Sequence, residues 1–343
     1  MAFRSLIPIA AFLLSELFSS CLFAQETTAE VVPEEQLKSV KTDTDGDGWH
    51  FRVKPSSSFS FNDSRKVVGQ PEGYSLTFGL NFESSIILFK GQHEWRNTFI
   101  LVEAISRTPV IKEFIVTADS LDIESMYLYY FYHWFGLYGR LALNTHILPG
   151  LDVRPEQSTY AVTRSGGNID TLLDDKVRLT DPFQPLTLKE GLGPFFRPLT
   201  KEEVNLEFML GLSFWETFNE GQLAVKDDGG TSEIELITMQ NVYQLGAESI
   251  NRLWGELWEK RISYLASAEL MIPYYMTPDN SGLSTGEKLN VKINVRIDFH
   301  LVEWFALSYE LKALREPQVL DDWQIQNSIL MTLSYSLYKF KAY

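Results

Sequence analysis

The chain has 343 residues, 30 basic against 45 acidic side chains for a formal charge of -15, and a single cysteine. That balance argues against nucleic acid as a partner, because phosphate backbones are met by basic surfaces, and one cysteine excludes an internal disulfide or a cysteine metal cluster. Aromatic residues are plentiful, with 23 Phe, 15 Tyr and 8 Trp. No apolar run beyond the N-terminus approaches the roughly 18 residues of a spanning helix, which excludes a helical-bundle membrane protein and leaves strands with one oily and one wet face.

Residues 1–24 have the layout of a secretory signal peptide: Arg4, an apolar run from Leu6 through Leu14 to Phe23, then small Ala24 before Gln25 and Glu26. The rival reading is a lipoprotein-type box, Phe18-Ser19-Ser20-Cys21, with Cys21 as lipid acceptor; the layout fits cleavage after Ala24 better. Residues 25–48, rich in Glu, Thr, Val and Pro, show no helix or strand period and read as an acidic periplasmic tether. Within it Asp43, Asp45 and Asp47 alternate ahead of Gly48 like the start of an EF-hand calcium loop. The twelfth place, where a bidentate Glu should close the site, is Lys54, so the stretch reads as a flexible linker.

From Trp49 onward, apolar and polar side chains alternate with the period of two that gives a strand one face of each kind. Trp49, Phe51, Val53, Pro55, Phe59 and Phe61 share one parity, with Arg52, Lys54, Ser58 and Ser60 on the other; Tyr74, Leu76, Phe78, Leu80 and Phe82 then return as the second arm of a hairpin. Strands are expected at 92–105 and 121–133, the latter dense in Tyr127, Tyr129, Tyr130, Phe131 and Tyr132, as a membrane interface favours. The next begins at Leu137, with Arg140, Asn144 and His146 opposite Leu141 and Leu143. Residues 148–185 form the longest stretch without alternation and are expected to be a functional or disordered loop.

Strands resume at 186–196, 204–214 and 234–247. Ile250, Leu253, Trp254 and Leu257 fall at helical spacing and predict a short interfacial helix over 249–258. A strand from Trp258 to Ile272 follows. The clearest is 288–300, where Leu289, Val291, Ile293, Val295, Ile297 and Phe299 alternate with polar residues over the roughly 9 to 11 positions a tilted membrane strand needs. Phe305, Leu307, Tyr309 and Leu311, then Ile325, Ile329, Met331, Leu333, Tyr335 and Leu337, make the last pair. The predicted fold is all-β: a transmembrane antiparallel up-and-down β-barrel over 49–343 of about twelve strands, with short periplasmic turns and longer extracellular loops. A soluble secreted β-sandwich is the alternative fold.

The signal-peptide layout, the amphipathic strands, the aromatic belts and the end Tyr335-Ser336-Leu337-Tyr338-Lys339-Phe340 resemble bacterial outer-membrane β-barrel proteins over 49–343. Trp95-Arg96-Asn97 and Asp119-Ser120-Leu121 look like uncharacterised barrel families known only as domains of unknown function. The resemblance implies the outer membrane of a Gram-negative-type bacterium, a lipid bilayer as surroundings, and recognition of the last strand by the outer-membrane insertion machinery. Tyr343 stands where such chains often end in Phe or Trp. No activity comes with it.

Arg52, Arg96, Arg140, Lys288, Lys292 and Arg296 are expected to face the lumen, with Lys54 and Lys312, against Glu83, Asp122, Glu124, Glu207, Asp298 and Glu310. The run Lys288, Lys292, Arg296 suggests a track for anions; the other reading pairs these cations with carboxylates on neighbouring strands. The expected function is a narrow pore or binding channel for a small polar or anionic solute, or, alternatively, a structural or partner-binding barrel with a closed lumen. A hydrolase would use Asp298 and His300, two residues apart on one face, but a third partner is missing, and His146 has no Ser nucleophile beside it. None of the five His stands at metal-ligand spacing, and no phosphate loop or dinucleotide fingerprint is present, so no enzyme activity and no cofactor is expected.

Overall fold

The computed structural model describes residues 47–65, 73–111, 113–226, 230–278, 284, 286–302, 305–317, 320–334 and 338–342. Every regular element among them is a strand. The chain runs through β1 (Gly48–Ser64), β2 (Gly73–Lys90), β3 (His93–Arg107), β4 (Ile115–Tyr132) and β5 (Phe135–Thr145). After β6 (Leu151–Thr163) and β7 (Ile169–Arg178) come β8 (Leu186–Thr200), β9 (Asn205–Phe218), β10 (Leu223–Val225) and β11 (Ile234–Thr238). The remainder is β12 (Val242–Leu257), β13 (Ile262–Thr277), β14 (Asn290–Val302), β15 (Phe305–Glu316), β16 (Leu320–Ser334) and β17 (Tyr338–Ala342).

The large sheet has the order β16-β15-β14-β13-β12-β9-β8-β5-β4-β3-β2-β1-β17. Its pairings are antiparallel between strands successive in the wall. The first strand also meets the last: β1 pairs with β17 from Trp49↔Ala342 to Val53↔Tyr338, and with β16 at Ser56↔Ser334 and Ser57↔Leu333. Counting β16 and β17 as two pieces of one wall strand gives the expected twelve. The seam is stitched along the half of β1 nearest the short turns; among the described residues no pairing joins β1 to β16 beyond Ser57.

The alternation places large apolar side chains outward. Leu80 and Leu192 are each 66% exposed and Leu212 63%, whereas the inward Glu94 and Glu207 are fully buried. In water such an inside-out wall would expose far more contiguous apolar surface than a soluble domain tolerates; against hydrocarbon the same face is the favourable one. Rings gather where the wall meets the interfaces. Trp49 lies 6.1 Å from Trp95, Tyr132 6.1 Å from Trp134 and Phe135 5.0 Å from Phe196 near the short turns. Phe61 with Tyr74, and Phe78 with Phe114, sit toward the long loops. A purified, unboiled sample in denaturing detergent is therefore expected to migrate apart from a boiled one; a single unmoved band would rule out a detergent-resistant barrel.

Three expectations are corrected. The stretch 148–185 is not a structureless loop: β6 and β7 join β10 and β11 in a four-stranded sheet on the long-loop side, ordered β10-β11-β6-β7. Its core is Tyr160, Val162, Val177, Ile234 and Leu236, and β11 runs parallel to β6 from Ile234↔Tyr160. Tyr160 donates to the Asp152 carboxylate at 3.0 Å, which also accepts from Arg154 Nε at 2.9 Å; burial, with Asp152 beside it, pushes the Tyr160 phenol up. Second, 234–247 is two strands, with β11 in this cap and β12 in the wall. Third, 249–258 is not a helix. β12 continues to Leu257, with Ile250 inside among Met126, Leu128, Tyr138, Phe195 and Met209. Here the wall is apolar on both faces, so apolar residues fall on both parities and mimic helical spacing. Trp258 belongs to the following turn, where Trp258, Glu259 and Lys260 take positive φ.

Candidate functional site in the lumen

Inward parity puts a charged layer near the short-turn end. Arg96 hydrogen-bonds Glu94 on its own strand and reaches Glu207 at 3.3 and 3.4 Å. Arg197 donates to Glu207 through Nε at 3.1 Å and to the Tyr130 hydroxyl at 2.5 Å, which itself donates to Glu94 at 2.5 Å. Arg252 Nη1 stands 3.5 Å from Glu207. Because β4, β5 and β8 separate β3 from β9 in the sheet, the Arg96–Glu207 pair crosses the lumen and is no neighbour-strand contact. Glu94, Arg96, Arg197 and Glu207 are all buried, so the pairing is the means by which these charges are tolerated there.

A second layer lies above it. Arg140 on β5 donates to Glu124 at 2.7 Å and to Glu269 on β13 at 2.6 Å, and stands 3.7 Å from Glu248 on β12. Arg252 donates to Glu124 at 3.2 Å and Tyr138 to Glu248 at 2.8 Å. Lys189 lies 3.4 Å from Glu269 and 3.6 Å above the Trp215 ring. The Glu248 carboxylate fits because residue 191 is glycine: a Cβ there would sit 2.0 Å from Glu248 Oε1. Gly191→Ala is expected to displace this carboxylate and lower the thermal midpoint, a loss of roughly 1–3 kcal/mol, read by heat-dependent mobility; an unmoved midpoint would mean Glu248 has room to swing aside.

Met126, Leu128, Tyr138, Phe195, Met209 and Ile250 form one buried cluster on the same inner face of the wall, and with the two charged layers they make a floor toward the short turns. On the loop side of this floor is a cavity of about 120 Å³. Lys292 and Asn294 of β14 and Lys312 of β15 line one wall, and Asp122 of β4 and Asn144 of β5 line another. In the ring order β4 stands six places from β14, and β5 six from β15, so these walls face each other across the barrel. Arg140, Arg252, Lys189, Glu124 and Glu269 complete the lining.

The expected lumen cations therefore divide. Arg96 and Arg140 hold the floor, and Lys292 lines the cavity. Arg296 is paired with Asp298 at 2.8 Å and Glu310 at 3.4 Å. Arg52 lies on β1 opposite Ser85 and does not line the cavity, and Lys288 lies in the turn at 286–288 before β14 begins. The acid–base pair for a hydrolase is not assembled: Asp298 is taken by Arg296 and Ser308, while His300 Nε2 faces Ser263 Oγ at 3.0 Å. Sequence reasoning missed Lys189, Arg197, Arg252 and Glu248 as lumen groups; the parity of Phe195 and Ile250, carried along β8 and β12, was the signal that places them. Of the calcium-like acids, Asp47 accepts from Gly91 N at 3.1 Å, while Asp43 and Asp45, like Cys21, lie outside the described residues.

A pleated antiparallel wall, apolar outside and polar and packed within, defines a transmembrane β-barrel. No family model matches the chain, and no curated protein does. Among solved structures it is similar to the translocator domain of the autotransporter NalP from Neisseria meningitidis, at 10% identity and a TM-score of 0.37, covering 88% of this chain and 93% of that one. An outer membrane channel from Pseudomonas putida F1 overlaps at 10% identity and a TM-score of 0.36, over 87% and 98% of the two chains. The TodX monoaromatic hydrocarbon channel does so at 10% and 0.33, over 85% and 90%. The class itself stands on the strand pairing and the apolar outer face.

Proposed function

We propose that the protein is a bacterial outer-membrane barrel that binds a small polar solute in its loop-side cavity and is closed to through passage in the conformation described. The observation that carries this reading is the set of ion pairs between strands on different sides of the lumen, Arg96–Glu207 and Arg140–Glu269, lying beneath a polar cavity. A solute entering from the long-loop side meets polar side chains and then a floor of paired charges. The signal-peptide layout and the amphipathic strands support the outer-membrane address.

Two measurements test it. In planar bilayers the wild-type protein is expected to give no steady unit conductance, whereas an open barrel of this strand number would give steps; persistent steps would overturn closure. In thermal unfolding, a bound solute at 100 times its Kd adds about 2.7 kcal/mol to stability. A panel of small polar solutes that never moves the midpoint would shift the reading to a partner-binding barrel. That second reading is favoured by Ile169 and Leu173, 65% and 62% exposed on the cap's edge strand β7.

A further inference from the structure

We infer that the outer wall formed by β5, β8 and β9 docks a second copy of this chain in the plane of the membrane, with Glu190 beside the two-fold axis. The lumen takes no part in this contact, which stands whether or not a solute is bound there.

Glu190 carries a carboxylate on the lipid side of the wall. Its neighbours on β8 face inward, Lys189 toward Glu269 at 3.4 Å and Gly191 toward Glu248, while Glu190 is exposed. In the pairing it stands between Leu141 of β5 and Phe214 of β9, and Leu141, Leu192 and Leu212 around it are exposed as well. Polar outer-face side chains elsewhere satisfy one another, Ser125 donating to Asn97 at 2.9 Å and Asn251 to Ser249 at 3.0 Å. Among the described residues no donor or cation reaches the Glu190 carboxylate; only its backbone oxygen is engaged, by Ser213 Oγ at 2.8 Å.

The depth of Glu190 gives this its meaning. Four positions toward the long loops, Leu186 pairs with Phe218, whose ring meets Tyr243 in the loop-side belt. Six positions the other way, Phe196 meets Phe135 in the short-turn belt. At about 3.3 Å per residue along a strand tilted by about 40°, Glu190 lies roughly 10 Å from the first belt and roughly 15 Å from the second. A glutamate side chain is too short to carry its carboxylate from there to the headgroups, and hydrocarbon offers it no hydrogen-bond donor. Four places round the ring, β14 turns Ile293, Val295, Ile297 and Phe299 outward, a face that lipid alone satisfies. The wall at Glu190 is instead a face for protein.

The group that meets Glu190 must be polar and held at the same depth. A two-fold axis along the bilayer normal sets the copy's own Glu190 at that depth by symmetry, and two-fold contacts are the commonest among homo-oligomers. Two carboxyls facing across the axis with one proton between them form a charge-assisted hydrogen bond, and the leucines around each pack against those of the other. A cationic side chain from an unlike membrane protein is the competing occupant.

The test is disulfide cross-linking, in isolated outer membranes, of Glu190→Cys and Val295→Cys, with the wild-type chain, whose one cysteine is Cys21, as background. Glu190→Cys is expected to give a band of twice the chain mass, and Val295→Cys nothing above background. A band at 190 no stronger than at 295 would overturn the contact, and a product of any other mass would assign the face to an unlike protein and overturn the second copy. Native mass spectrometry of wild-type and Glu190→Arg chains carrying distinct tags and made together gives a second reading. Mixed dimers are expected above the share that random pairing gives, because the arginine then meets the wild-type carboxylate. A random or smaller share would overturn the place of Glu190 at the axis. The cysteine comparison decides the matter even if the arginine variant does not fold.

Discussion

Glu207→Gln is expected to cost the barrel about 3–5 kcal/mol of stability, because it leaves buried charge without its counter-charge. The Glu207 carboxylate is fully buried and is shared by Arg96, Arg197 and Arg252 from three different strands. Glutamine keeps the volume and one acceptor oxygen but removes the charge, so three guanidinium groups are left with Glu94 and Glu124 as their remaining partners. The measurement is urea unfolding in lipid vesicles followed by tryptophan fluorescence, comparing midpoints at constant slope. A loss under about 1 kcal/mol, the range of a solvated pair, would mean that water reaches these arginines through the lumen and that the layer is not a seal.

The second large effect is expected at Arg140, the side chain that ties β5 to β4, β12 and β13. Arg140→Met retains bulk and flexibility but leaves Glu124, Glu248 and Glu269 facing one another without their shared cation. Like charges in a medium of reduced dielectric repel strongly, so the floor is expected to part at this level. Conductance steps absent from the wild type should then appear in planar bilayers, and because carboxylates line the gap, the reversal potential in a salt gradient should show cation preference. A silent variant with unchanged stability would assign closure to the apolar cluster around Met126, Leu128 and Phe195.

What could be read from the sequence follows from which surfaces each strand meets. A strand such as β14 has lipid on one side and a polar lumen face on the other, and the period of two survives in it almost residue by residue. Where the lumen is packed with apolar side chains, as along β12, the period is lost and Ile250, Leu253, Trp254 and Leu257 passed for a helix. The cap was invisible for another reason: beside Val177 of β7, the buried face of Tyr160 and Val162 is completed by Ile234 and Leu236, more than seventy positions away. Parity also gave Arg96, Arg140 and Arg296 their inward direction without their partners. Arg96 and Glu207 are 111 residues apart, and their meeting is set by barrel closure, which local pattern does not encode. Asp122 stood among the inward acids from the start, but its donors Asn144 and Ser120 could be identified only with its neighbours in place.

The parallel pairing of β6 with β11 also has a consequence for how the molecule is made. These strands belong to two separate excursions of the chain, one between β5 and β8 and the other between β9 and β12. The cap therefore cannot form until both excursions have been translocated to the far side of the bilayer, and its non-local contacts come late in assembly. Once formed, it fastens those excursions together outside the membrane, so withdrawing either one first requires unfolding the cap. Resistance of the excursions 146–185 and 219–241 to protease added from the outside would thus report, during biogenesis, the moment at which the middle of the chain has become committed to the membrane.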